Sequence, residues 1–195
     1  MATTMEQIKS LREKTGAGIV EVKKALEEAG GNEEDAIRIL RERGAAKAVK
    51  KTEREAKEGV VAMYLHSNGR VGAMVKLFCE TDFVARNDEF QSLGRDIAMH
   101  VTAMNPTVVS PEDVSDEMVG KEREIWMEQL RQDGKPEDLA EKILIGKEKK
   151  FREENALLTQ PFVKDPSKTI KDLLSESVQK IGENIQVGSF TRYEI

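Results

Sequence analysis

The chain has 195 residues, 34% of them charged and only 5% aromatic, with 36 acids against 31 bases for a formal net charge of -5. That length supports a sizeable core, or one domain plus a small module, and the acidic balance argues against a global electrostatic grip on nucleic acid. The single cysteine allows no internal disulfide, no run approaches the ~18 apolar residues of a membrane span, and Met1–Glu6 lacks the basic and apolar regions of a signal peptide, so a cytoplasmic protein is expected.

In chain order, Thr4 and Gln7 have the spacing of a capping box, and Met5, Ile8 and Leu11 follow on one helical face. Thr15-Gly16-Ala17-Gly18 breaks that helix. A second helix carries Ile19, Val22, Leu26 and Ala29 and stops at Gly30-Gly31. Asn32 can cap a third, with Ala36, Ile37 and Leu40, predicted to end at Gly44. Residues 1–44 thus read as a three-helix module, near the lower size limit for independent folding. Gly16-Ala17-Gly18 follows a helix rather than a strand, so it lacks the context of a nucleotide-binding fingerprint. Residues 45–58 read as a helical linker. Its bases, Lys47, Lys50, Lys51, Arg54 and Lys57, interleave with Glu53, Glu55 and Glu58, which favours a solvated helix over a nucleic-acid patch.

Residues 59–195 read as an α+β core, with a helical segment at about 111–158. Val60 to His66 and Val71 to Cys79 alternate with strand period around Asn68-Gly69, which predicts a type I′ hairpin turn pairing Ser67 with Arg70. One face of the hairpin would carry Val60, Ala62, Tyr64, Val71, Ala73, Val75, Leu77 and Cys79, and the other Val61, Met63, Leu65, Met74 and Phe78. Both are largely apolar, so both need cover. A helix layer covers one; a second copy of the chain is a natural cover for the other, which predicts a homodimer. Helices follow over Asp88 to Met104, from Ser115, from Pro136, and over Ile170 to Ile181, closed by Gly182. Gln160 to Pro166 reads as an extended connection, and Ile185 to Ile195 as a final strand able to join the hairpin. The fold class is therefore α+β: an N-terminal three-helix module, then an antiparallel sheet of hairpin plus C-terminal strand, packed with helices.

Between the second strand and the following helix lies Cys79-Glu80-Thr81-Asp82-Phe83-Val84-Ala85-Arg86-Asn87. A hydroxyl, a carboxylate and an aromatic ring sit there on a connection expected at the surface. The plain reading is a turn with Thr81 or Asp82 as cap and Phe83 folded inward. Catalytic constellations are scarce: His66 and His100 have no second ligand at metal spacing, and Cys79 falls on the apolar strand face. No enzyme and no cofactor are expected.

Several segments together resemble the elongation factor Ts family. They are Thr15-Gly16-Ala17-Gly18, His66-Ser67-Asn68-Gly69-Arg70-Val71-Gly72, Cys79 through Asn87, Gly134-Lys135-Pro136, Gln160-Pro161-Phe162-Val163-Lys164-Asp165 and Ile181-Gly182-Glu183-Asn184-Ile185. They follow the family's order over nearly the whole chain, and the length resembles the short form with one core unit. The resemblance implies a guanine nucleotide exchange factor for elongation factor Tu, with a ubiquitin-associated-type N-terminal module that docks on the GTPase. It implies that Thr81, Asp82, Phe83 and Val84 form the stretch that displaces magnesium, with Phe83 as the intruding ring. It also implies that Arg12, Ile19 and Val20 meet the partner; Ile19 and Val20 stand where many members have two methionines. The alternative expectation is a non-catalytic helical adaptor for a peptide or ubiquitin-like partner, which leaves Thr81 to Asn87 without a task.

Overall fold

A computed structural model describes residues 4–195; the first three residues of the expected 1–44 module lie outside it. Helix α1 (Met5–Thr15) begins with the predicted capping box, Thr4 Oγ1 accepting from the Gln7 N–H and Gln7 Oε1 from the Thr4 N–H. With α2 (Ile19–Glu28) and α3 (Glu33–Lys51) it encloses a small core of Ile8, Leu11, Ala17, Val22, Ala25, Leu26, Ala36 and Leu40. Asn32 Oδ1 caps α3 through the Glu34 and Asp35 N–H groups.

Helix α3 does not stop at Gly44. It runs on through a helix-favouring stretch to Lys51, and Ala48 is buried in the main core. The reason lies in α8 (Ile170–Ile181), which packs against α3: a side-chain carbon at Gly44 would stand 2.1 Å from Gln179 Oε1, so glycine allows the close approach. Of the expected helical linker over 45–58, only residues 45–51 are helical. Lys51 Nζ then donates to the Gly182 carbonyl at 2.6 Å, and Arg54 lies 3.5 Å from Glu80, so these bases serve contacts within the chain.

Strands β1 (Glu58–Leu65) and β2 (Val71–Cys79) pair antiparallel, and β5 (Gln186–Glu194) joins β2 on its other side, giving the order β1-β2-β5. The register follows the expected one, with Leu65 opposite Gly72. The turn differs: Gly69 N–H donates to the His66 carbonyl at 2.8 Å, and only Gly69 has a left-handed φ, of 67°. Type I′ needs two such residues. Asn68 has none; its Oδ1 instead accepts from the Arg70 N–H, so a four-residue loop replaces the two-residue one while the pairing sum stays the same.

Helix α5 (Asp88–Met104) covers one face of this sheet, packing Phe90, Leu93, Ile97 and Val101 on Ala73, Val75, Leu77 and Cys79. It comes close at Gly94, where a side-chain carbon would stand 2.7 Å from Ala62 Cβ. The opposite face is bare: Val61, Met63, Leu65, Met74 and Tyr193 are exposed.

Helices α6 (Asp116–Gln132) and α7 (Glu137–Asn155) form an antiparallel pair, joined by the edge-on rings of Trp126 and Phe151 and by the Arg123–Glu141 ion pair at 2.8 Å. Ser115 caps α6 as expected. The connection expected to be merely extended pairs with itself as a ribbon, β3 (Pro161–Phe162) and β4 (Asp165–Thr169). Buried His100 ties that region to α5. The Val163 N–H donates to Nδ1 at 3.2 Å, leaving the ring proton on Nε2, 3.0 Å from Gln160 Oε1. Burial lowers the His100 pKa, and the Gln160 contact partly opposes it. Among the described residues no helix is long and apolar enough to cross a membrane.

Candidate partner-binding site

The turn after β2 is built from its last strand residue outward. Cys79 is fully buried, and its S–H donates to the Thr81 carbonyl at 3.2 Å. Burial, helped by the negative charge of Glu183, pushes the thiol up to about 11, which leaves it neutral and inert. Thr81, in extended backbone, caps a single helical turn, α4 (Asp82–Ala85), accepting from the Val84 N–H at 3.4 Å. Asn87 then caps α5 through the Glu89 and Phe90 N–H groups. The chain thus makes two capped helix starts within seven residues.

This double start decides where the side chains point. Ala85 is buried and Val84 packs on the core, so one side of α4 faces inward. Asp82 and Phe83 fall on the other side. Asp82 is half exposed and pairs with Arg86 at 3.1 Å, and Phe83 is 82% exposed. The inward-folded ring of the plain reading is therefore excluded. Full exposure of a phenylalanine leaves about 1.5–3 kcal/mol of burial free energy unclaimed by the chain's own fold.

The turn is anchored from far along the chain. Glu183 Oε2 accepts the N–H groups of Glu80 and Thr81, both at 3.1 Å, and Oε1 accepts the Thr81 hydroxyl at 2.7 Å. The hydroxyl uses both its roles, donating to Glu183 while accepting from Val84. Next along, the Asn184 N–H donates to Glu80 Oε1 at 2.6 Å, and its fully buried side-chain amide donates to the Arg54 carbonyl at 2.7 Å. These ties join residues more than 100 apart, and nothing in local spacing signals them.

The second predicted group lies at the α1–α2 turn. Thr15 Oγ1 donates to the Leu11 carbonyl at 2.6 Å and accepts from the Ala17 N–H, while the left-handed Gly16 returns its N–H to Arg12. Ala17 is buried beneath. Arg12 is exposed on the last turn of α1, and Ile19 and Val20 are exposed on the first turn of α2. One local turn thus presents a cation and two branched apolar side chains. Among the described residues no group of three His, Cys, Asp or Glu side chains is placed to hold a metal ion.

Residues 2–195 match the sequence model of the family described as Elongation factor TS. The chain is 53% identical over 195 residues to the elongation factor Ts of Rubrobacter xylanophilus, spanning the whole of both chains. It is 52% identical over 195 residues to that of Maridesulfovibrio salexigens, covering all of this chain and 95% of the relative. To that of Thermosipho melanesiensis it is 54% identical over 188 residues, 96% of each chain.

Proposed function

Because the chain belongs to the elongation factor Ts family, whose members are translation elongation factors, we propose that it is a guanine nucleotide exchange factor for elongation factor Tu in the cytoplasm. The observation that carries the reading is Phe83, an exposed ring on a capped turn tied to the body of the protein. The three-helix unit serves as a ubiquitin-associated-type docking module, with Arg12, Ile19 and Val20 on the partner. The protein acts by binding alone, without bond chemistry, cofactor or direct contact with nucleic acid.

The physical logic is linkage. A factor that binds the nucleotide-free GTPase better than the loaded one weakens nucleotide binding by the same ratio. Magnesium requires near-octahedral geometry, so a small displacement of its surroundings releases it, and the nucleotide phosphates lose their main counter-charge. A ten-thousand-fold acceleration of release corresponds to a barrier lower by roughly 5.5 kcal/mol. One buried phenylalanine contributes about 1.5–3 kcal/mol. Phe83 is therefore insufficient alone, and the contact at Ile19 and Val20 supplies further binding energy that holds the GTPase open.

Stopped-flow release of a fluorescent GDP from elongation factor Tu tests this. The wild-type chain accelerates release, and Phe83→Ala does so much less while still binding. Equal acceleration by the two would remove Phe83 from the mechanism. The bare sheet face of Val61, Met63, Leu65 and Met74 further supports a homodimer built through that face. Light scattering at micromolar concentration gives the dimer mass on this reading, and a monomer mass would contradict it.

A further inference from the structure

We propose that Glu183 is a positioning residue for nucleotide exchange: its carboxylate fixes the turn that presents Asp82 and Phe83, and its neighbours fasten that turn to the end of α3. The inference rests on the reading of Phe83 as the intruding ring. Helix α4 is one turn long, and a single turn has little stability of its own. The Phe83 ring is largely exposed, so its placement depends mainly on the backbone beneath it. Three donors converge on Glu183 from that turn, the backbone N–H groups of Glu80 and Thr81 and the Thr81 side-chain hydroxyl. Bonds to an ionised acceptor are about twice as strong as neutral ones.

The flanking residues extend the frame. The Gly182 carbonyl accepts from Lys51, Asn184 binds both Glu80 and the Arg54 carbonyl, and Gln186 Nε2 donates to the Thr52 carbonyl at 3.4 Å. The segment 182–186 therefore lies between the C-terminal end of α3 and the Phe83 turn and is bonded to both. The exchange turn is thereby joined to the end of α3, and Glu183 is the member of this segment that accepts the backbone N–H groups of the turn.

The test measures the rate of fluorescent-GDP release from elongation factor Tu against exchange-factor concentration, separating maximal rate from half-saturating concentration, with thermal unfolding of each variant alongside. Glu183→Ala lowers the maximal rate about tenfold and leaves half-saturation within about twofold, the pattern of an interaction used only in the transition state. Glu183→Gln retains an amide oxygen for the two N–H donors and restores the rate to within about threefold of wild type. In a Phe83→Ala background, Glu183→Ala adds less than about twofold, because two residues acting through one contact are not additive. Thr81→Val removes the hydroxyl, and with it both the Glu183 bond and the Val84 cap, and loses at least about threefold, which keeps the inference falsifiable should Glu183→Ala fail to fold. A wild-type maximal rate in folded Glu183→Ala, or in Thr81→Val if that variant alone folds, would overturn the inference. So would a full tenfold loss persisting in the Phe83→Ala background. If Phe83→Ala alone released GDP at the wild-type rate, the ring itself would leave the mechanism, and this role for Glu183 with it.

Discussion

The two exposed turns proposed to meet the partner are held in contrasting ways. The α1–α2 turn closes on itself through Thr15, Leu11, Ala17 and Gly16, all within a few residues. The Phe83 turn is bonded to Glu183 and Asn184, on the far side of the core in sequence. The contrast suggests a division of labour on the proposed function. A locally built turn presents Ile19 and Val20 for affinity. A turn braced against the body of the protein can push, because displacing a metal ion requires the intruding group to stay put while the partner yields.

Four outcomes break or sharpen that contrast. The largest concerns the braced turn: Phe83→Ala lowers the maximal rate of GDP release about thirtyfold, the equivalent of roughly 2 kcal/mol for one buried ring. A change confined to half-saturation would make both turns affinity elements and erase the distinction. Behind the braced turn, Gly94→Ala drives a methyl group into Ala62 and lowers the unfolding free energy by about 1–3 kcal/mol in denaturant titration. Gly146→Ala, on an open face of α7, raises it by up to about 1 kcal/mol through helix propensity. At the local turn, Val20→Asp raises the half-saturating concentration about tenfold and leaves the maximal rate within about twofold. A collapse of the maximal rate instead would show that this turn also acts on the transition state.

The smallest effect is a pH dependence. His100 is neutral in the fold and has a lowered pKa there, so the unfolded chain binds the proton more readily. Its contribution to stability is complete above the unfolded value of 6.5 and is lost as pH falls towards and through the folded pKa. Chemical denaturation of the wild type thus weakens between pH 7 and pH 5, and His100→Gln flattens that part of the profile. Equal slopes in the two proteins would mean that the ring is solvated in the fold.

Much of this was legible in the sequence where the signal is local. Thr4 with Gln7, Thr81 and Ser115 mark helix starts through side chains that reach a few residues on, Gly182 marks a helix end through its left-handed backbone, and alternation over Val71 to Cys79 gives the buried face. Where the decisive contact is distant, the local signal misleads. Gly44 resembles a helix stop but is a gap filled by Gln179. Asn68-Gly69 resembles a two-residue turn, yet Asn68 caps Arg70 in a longer loop with the same register. Asp82 and Phe83 stood out as residue types, but the outward direction of the ring follows from burial of Val84 and Ala85, and its bracing by Glu183 follows from folding alone.

Magnesium supplies the most direct test of the account. GDP release from elongation factor Tu is timed with wild type and with Phe83→Ala, first in excess magnesium and then in excess chelator. If the braced ring acts by dislodging the ion, the gap between the two proteins is wide with magnesium and shrinks to within about twofold without it. A gap of the same size in both conditions would mean that Phe83 works on something other than the metal.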